Sequence, residues 1–200
     1  METFVLGRYF ENTYLITKGN QAILVDPGEN ILNILDVINK YDLKAIILNH
    51  GHIDHVDGIK EFLDKPIYIY KDELEVLKSK EYSLYSLYDL ELPYNIDKLN
   101  LHLLSDLEEF KLLDYNIKVI HTPGHTKGSC CYLFDNKVLF SGDTLFQVGI
   151  GRTDYPTGDM NQMILSLNRL YKLDDSIKVY PGHGVETTIG FEKKYNPYFK

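Results

Sequence analysis

The chain has 200 residues, a formal charge of −8 and 44% hydrophobic residues, enough apolar material for a single domain over residues 1–200 without disulfide staples. No basic stripe is present to neutralise phosphates, which argues against a nucleic-acid partner. No apolar run approaches the roughly 18 residues of a membrane span, and the start lacks the charged-then-apolar pattern of a signal peptide. Cys130 and Cys131, the only cysteines, are adjacent and build no disulfide framework, so a reducing, cytoplasmic location is the expectation.

Short strands are predicted at 5–6, 14–17 and 22–25, the last two separated by the turn Lys18-Gly19-Asn20. Asp26-Pro27-Gly28 ends the third strand, and Asn30 is placed to cap a helix whose Ile31, Ile34, Leu35 and Ile38 share one face. Residues 45–48 form a compact apolar strand that runs straight into a histidine-rich segment from Asn49. A helix over about 54–63, a strand at 67–70 and helix-prone charged sequence to about Lys80 follow. The stretch 82–94 reads as a helix packing Tyr82, Tyr85 and Tyr88 on the body, with a substrate lid as its functional alternative. Strands return at 101–104, 109–113, 118–120, 129–134 and 138–140, with Asp135-Asn136 as a turn. Asp159, with Gln162 three residues on, resembles a capping box for a helix carrying Met160, Met163, Ile164, Leu167 and Leu170 on one face. A last strand at 178–180 meets Pro181-Gly182-His183-Gly184, and Lys193, Lys194 and Tyr195 are assigned to a solvated terminal helix. With no repeat and no linker, one compact α/β unit is expected.

The chemistry is concentrated in short turns. His50, His52, Asp54 and His55 place four potential metal ligands within six residues. His50 and His52 project to the same side of an extended backbone but diverge by about 200° on a helix, so a strand end or loop must carry them. Asp54 and His55 fall near the start of the next helix, where the helix dipole favours a carboxylate. Gly51 and Gly58 are assigned to close approach of backbone and ion. His125 follows Pro123-Gly124, His183 follows Pro181-Gly182 and Asp143 follows Ser141-Gly142, each just after a predicted strand. Five of the seven histidines are thus candidate ligands in three glycine-flanked motifs, which makes incidental histidines a poor explanation. The donors suit Zn²⁺, Mn²⁺ or Fe²⁺ without choosing among them.

Asp26, at a strand end, is a candidate support for a metal-bound histidine. His121 is assigned a structural hydrogen-bonding role, His102 a structural or surface one, and Cys130 and Cys131 packing on opposite faces of a strand. Arg152 and Asp154 either pair to shape the loop beside the cluster, or Arg152 touches substrate.

His-x-His-x-Asp-His followed by His, Asp and His in this order resembles the metallo-β-lactamase superfamily, over essentially the whole chain. The resemblance implies a four-layer αββα sandwich with a dinuclear site at one edge of its two sheets. It implies one metal on His50, His52 and His125, a second on Asp54, His55 and His183, and Asp143 bridging both. The segment 151–155 and the ending 182–190 look most like the short bacterial glyoxalase II-like hydrolases. That implies a small-molecule thioester or ester substrate such as S-lactoylglutathione and two divalent ions, zinc first, with iron or manganese as alternatives. It also implies a hydroxide shared by the metals, which Asp54 would orient and deprotonate. A thiolate, with a parent pKa of about 8.5, leaves without a general acid, which suits thioester better than amide hydrolysis.

Three departures bear on the transfer. Asn49 stands where the family commonly has threonine. Asp143 stands where dizinc β-lactamases usually carry cysteine, which disfavours a lactamase. The chain ends 17 residues after His183, without the helical C-terminal domain that supplies glutathione contacts in full-length glyoxalase II. The iron-dependent persulfide dioxygenases share the motifs and supply the alternative activity, followed by other ester or lactone hydrolysis and by a metal-binding module without catalysis. The physiological substrate and oligomeric state stay open.

Overall fold

The computed structural model describes residues 1–199. In the first half of the chain lie β1 (Glu2–Leu6), β2 (Glu11–Lys18), β3 (Gln21–Val25), β4 (Asp42–Leu48), β5 (Pro66–Tyr70) and β6 (Asn100–Leu104). They form one six-stranded sheet in sequence order, antiparallel from β1 to β3 and parallel from β3 to β6. The second half supplies β7 (Glu109–Leu112), β8 (Tyr115–His121), β9 (Cys130–Phe134), β10 (Val138–Gly142), a small hairpin of β11 (Leu145–Phe146) and β12 (Gly149–Ile150), then β13 (Lys178–Pro181) and β14 (Thr187–Thr188). The second large sheet runs β14-β13-β10-β9-β8-β7, with only β10 and β13 parallel.

Parallel neighbours require crossovers, and these carry the helices. Helix α1 (Leu35–Ile38) links β3 to β4, α2 (Ile53–Val56) links β4 to β5, and α3 (Leu74–Lys78) lies between β5 and β6. Helix α4 (Met160–Leu170) crosses to β13, and α5 (Ile189–Tyr195) closes the chain.

The period-2 alternation of the strands sorts their side chains into three apolar layers. Leu24, Ile46 and Ile69 face outward onto Ile31, Ile38 and Val56. Ile23, Val25 and Ile47 face inward onto Val119, Tyr132 and Phe140 of the other sheet. The far face of that sheet, with Leu133 and Leu139, packs on Met163, Leu167 and Leu170 of α4. Helix, sheet, sheet and helix layers therefore enclose three cores, the αββα sandwich expected. Cys130 lies in the middle core and Cys131 in the outer one, each a free, buried thiol. Residues 45–48 are continuously apolar because β4 is buried on both faces.

Several local expectations need correction. Asn30 is left-handed, with φ of 61°, and makes no side-chain cap, so the expected helix over 31–38 splits into a 3₁₀ turn and the four residues of α1. The expected helix over 54–63 likewise shortens to α2 and a 3₁₀ segment at Asp57–Glu61. Residues 82–94 hold only a 3₁₀ turn, Tyr85–Tyr88. Met160 and Ile164 are exposed; Asp159 does cap α4, accepting from the backbone N–H groups of Asn161 and Gln162. Helix α5 is anchored rather than simply solvated: buried Glu192 accepts from the Val148 N–H at 2.8 Å and from Thr187 Oγ1 at 2.5 Å. The short strand β14 has no counterpart in the sequence reading. Among the described residues no helix is long and apolar enough to cross a membrane.

Candidate metal centre

The C-terminal ends of β4, β8, β10 and β13 open onto one edge of the sandwich, and the turns that leave them carry the histidine and aspartate motifs. All seven expected side chains meet there. The ligand atoms of His50, His52 and His125 lie within 4.8 Å of one another, as do those of Asp54, His55 and His183 and those of His50, His55 and Asp143. The Nε2 atoms of His50 and His125 are 3.2 Å apart, and those of His55 and His183 are 3.4 Å apart. Asp143 stands between the two groups, its Oδ1 3.4 Å from His55 Nε2 and its Oδ2 3.4 Å from His125 Nε2. Asp54 Oδ2 is 3.3 Å from His183 Nε2.

Such crowding has a cost unless a cation completes it. His50 Nδ1, His52 Nε2 and Asp143 Oδ1 are buried without a hydrogen-bond partner, an unusual state for polar atoms. Asp26 and Glu11, both about 1% exposed, add two more carboxyls beside the cluster. Burial pushes both of these carboxyls up, with His55 acting against it. A divalent cation would offset the excess of buried acidic groups and give Asp143 Oδ1 a partner. The donor set therefore fits a metal site.

The two groups of ligands differ in charge state. Burial, reinforced by neighbouring histidines, holds His50 and His52 well below the usual imidazole range, and burial lowers His125. Burial acts the same way on His55 and His183, but the adjacent Asp143 and Asp54 outweigh it, raising His55 and taking His183 up to about 10. Burial opposes ionisation of Asp143 and Asp54 as well, yet His55 and His183 hold both below the usual carboxylate range.

Three of the five rings, those of His55, His125 and His183, are oriented from behind. Asp26 Oδ2 accepts from His55 Nδ1 at 3.0 Å, and its Oδ1 accepts from the Asn49 N–H at 2.7 Å. His125 Nδ1 donates to the Arg152 carbonyl at 2.7 Å, and His183 Nδ1 to the Tyr9 carbonyl at 3.1 Å. Asn49 also ties the sheets together, its amide donating to the Cys130 and Phe140 carbonyls. Gly182 is required by close approach, since a Cβ there would collide with Asp143 Oδ1 and the His55 ring. Gly58, by contrast, packs on the Pro27 and Gly28 carbonyls rather than on the cluster, so the expected role near an ion is withdrawn.

His121 is structural: its Nε2 lies 3.0 Å from the Lys127 carbonyl and its ring stacks on Tyr70. His102 stacks on Tyr68. Arg152 and Asp154 pair through two hydrogen bonds of 2.7 Å.

Sequence reasoning missed Glu73, Asn12 and Tyr9. Fully buried Glu73 accepts from the Gly51 N–H at 2.7 Å and from Thr126 Oγ1 at 2.8 Å, joining the loop of His50 and His52 to that of His125. Asn12 donates to the Pro181 and Gly184 carbonyls and braces the turn of His183. The only available signal was the polar run Glu11-Asn12-Thr13 opening an otherwise apolar strand; nothing marked Glu73.

The family model of the metallo-beta-lactamase superfamily matches residues 6–183, and the chain belongs to that superfamily. It is 35% identical to the hydroxyacylglutathione hydrolase GloC of Haemophilus influenzae, over 99% of this chain and 97% of that protein. Among solved structures, BLEG-1 B3 metallo-beta-lactamase superposes with a TM-score of 0.86 at 30% identity, covering 100% of this chain and 99% of that one. TTHA1623 in a di-iron-bound form superposes with a TM-score of 0.84 at 30% identity, covering 99% and 100%. The superfamily is one of metal-dependent enzymes, and the histidine–aspartate cluster of this chain fits a metal site.

Proposed function

We propose that this chain is a dinuclear metal-dependent hydrolase acting on thioesters. The observation that carries the reading is the convergence of all seven candidate ligands, five of which (His52, Asp54, His125, Asp143 and His183) line a cavity of about 310 Å³. His50, His52 and His125 would hold one ion, and Asp54, His55 and His183 the other, with Asp143 shared. Divalent ions held there would lower the pKa of bound water towards about 7 and polarise the substrate carbonyl, so no serine or cysteine nucleophile is needed.

The protein's own part is positioning and proton transfer. Asp54 is ionised at neutral pH, because His55 and His183 hold its carboxyl low despite burial, and it reaches into the cavity. It orients the attacking water and takes up its proton as the carbon–oxygen bond forms. The carbon–sulfur bond then breaks and the electron pair leaves with sulfur; the proton held by Asp54 passes to the departed thiolate and the new carboxylic acid loses its own to solvent, so the products are a carboxylate and a thiol. Among the described residues Asp54 and Asp143 are the only carboxyls lining the cavity, and a thiolate leaves without a general acid. The likeness to a hydroxyacylglutathione hydrolase supports thioester chemistry, and the B3 metallo-beta-lactamase neighbour makes a β-lactam the proper comparison substrate.

The test is hydrolysis of S-lactoylglutathione by metal-saturated protein and by Asp54→Asn. The variant keeps shape and an oxygen but loses the charge, and its rate should fall by about 10²–10⁴, the contribution of a positioned general base. It should retain the ion on His50, His52 and His125 while the second binds more weakly. A saturated wild type that cleaves no thioester would refute the reaction class. Equal rates for variant and wild type would refute the role of Asp54.

A further inference from the structure

The walls of the cavity above the cluster say more about the substrate than its floor does. Tyr9, Leu84, Leu87, Tyr88, Phe146 and Tyr155 contribute most of the lining outside the ligands. Leu87 is 60% exposed and Tyr9 45% exposed, so large apolar surface faces solvent at the mouth. Leu84, Leu87 and Tyr88 come from one segment whose 3₁₀ turn is bounded by two left-handed residues, Leu84 at φ 68° and Asp89 at φ 54°. Left-handed backbone is uncommon outside glycine and is retained where surrounding structure enforces it, typically at ligand clamps. The same segment buries Tyr85 in the outer core, so the apolar side chains are presented from an anchored base.

Charge at the cavity points the same way. Among the described residues Arg152 is the only lysine or arginine in the lining, and its guanidinium is already engaged. Nε and Nη2 bond to the Asp154 carboxylate, Nη1 donates to Tyr155 Oη at 2.9 Å, and the group stacks on the Tyr155 ring. Arg8, stacked over Tyr88, is paired with Glu29. Lys193, a conceivable anion contact from the C-terminal helix, instead donates to the Leu173 carbonyl and to Asp175.

Glutathione carries two carboxylates and an ammonium group, and this cavity offers its carboxylates no free cation outside the metal cluster. We infer that the site selects thioesters whose thiol portion is uncharged and apolar, and that the Asp154–Arg152 pair disfavours the glutathione conjugates. The inference rests on the thioester reading of the same site and narrows its substrate class. An apolar group in a matching pocket is worth about 10–200-fold in specificity, so an aromatic thiol portion against these walls should be read out clearly.

The experiment compares one acyl group on two thiols of similar leaving ability: S-lactoylglutathione and the lactoyl thioester of benzyl mercaptan. The metal-saturated wild type should show kcat/KM at least about tenfold higher for the benzyl thioester. Asp154→Asn, which releases Arg152, should narrow that ratio by improving the glutathione substrate. In parallel, calorimetry measures binding of the two corresponding thioethers, whose carbon–sulfur bonds do not hydrolyse, and the benzyl compound should bind about tenfold more tightly. Equal or tighter binding of the glutathione thioether, or a kcat/KM ratio at or below one, would overturn the inference. If the binding preference holds while neither thioester is cleaved, the selectivity stands and the proposed reaction falls.

Discussion

Asp26→Asn isolates the support of one ligand from the ligand itself. Asn accepts left-handed backbone readily, so the φ of 47° at this position is retained. Its side-chain oxygen can still accept from the Asn49 N–H, now 2.7 Å from Oδ1. The amide NH₂ then faces His55 Nδ1, 3.0 Å away, where a carboxylate oxygen accepted a proton. Donor against donor is untenable in a fully buried site, so His55 must move its proton to Nε2. That is the nitrogen 3.4 Å from both Asp143 Oδ1 and His183 Nε2, the one facing the cluster. A protonated Nε2 cannot bind a metal. Flipping the amide only transfers the clash to Asn49, leaving a buried donor unpaired at a cost of about 1–3 kcal/mol. The expected outcome is a loss of about 10–100-fold in affinity at the Asp54–His55–His183 group, the usual effect of removing such a support. The His50–His52–His125 group does not use Asp26 and should keep its affinity. Titration against a chelator series resolves the two affinities, and ¹⁵N shifts of the His55 ring report its tautomer. A parallel loss at both groups, or an unshifted tautomer with unchanged affinity, would refute the reasoning.

Purified wild type loaded with excess Zn²⁺, Mn²⁺ or Fe²⁺ should hold two equivalents, and Asp143→Ala should lose metal from both groups because its carboxylate stands between them. One tightly held iron with no second equivalent would favour the dioxygenase alternative; full stoichiometry in Asp143→Ala would refute the shared ligand. Glu73 should make stability depend on pH in a sense opposite to most carboxylates. Burial pushes its carboxyl up from 4.5 to about 7, so its contribution to folding is fully present below 4.5 and lost as pH rises through about 7. Glu73→Gln cannot ionise, so in urea melts of metal-free protein the difference between wild type and variant should move in the variant's favour by about 3 kcal/mol from acid to pH 8. A difference independent of pH would refute it.

The legible parts of the fold were those decided locally. The short apolar strands at 14–17 and 22–25, the uninterrupted apolar run 45–48, and the left-handed turns at Gly19 and Asp135-Asn136 act over a few residues and survive in the structure. The helices between parallel strands were harder. Residues 31–38 and 54–63 have helical spacing, but each must also bring the chain back across the sheet within a few residues, and tertiary geometry cuts both into a 3₁₀ turn and a single α turn. At 82–94 a three-residue tyrosine repeat misled for the same reason: Tyr85 is drawn into the core, while Tyr88 turns to the cavity.

The candidate metal ligands could be read because they fall in four short segments that leave strand ends, each containing a glycine, a pattern visible in each segment without knowledge of the other three. Their partners could not. Glu73 reaches Gly51 across 22 positions and Thr126 across 53, and the Arg152 and Tyr9 groups that orient His125 and His183 are backbone carbonyls, which carry no side-chain signature at all. The same asymmetry governs the substrate. The candidate ligands are fixed by motif, whereas the walls proposed to set selectivity are assembled from Tyr9, the 84–88 segment, Phe146 and Tyr155, which meet only in the folded chain. A change such as Asp154→Asn should therefore alter which thioester is preferred without touching a single metal ligand, and this separates the two layers of the site experimentally.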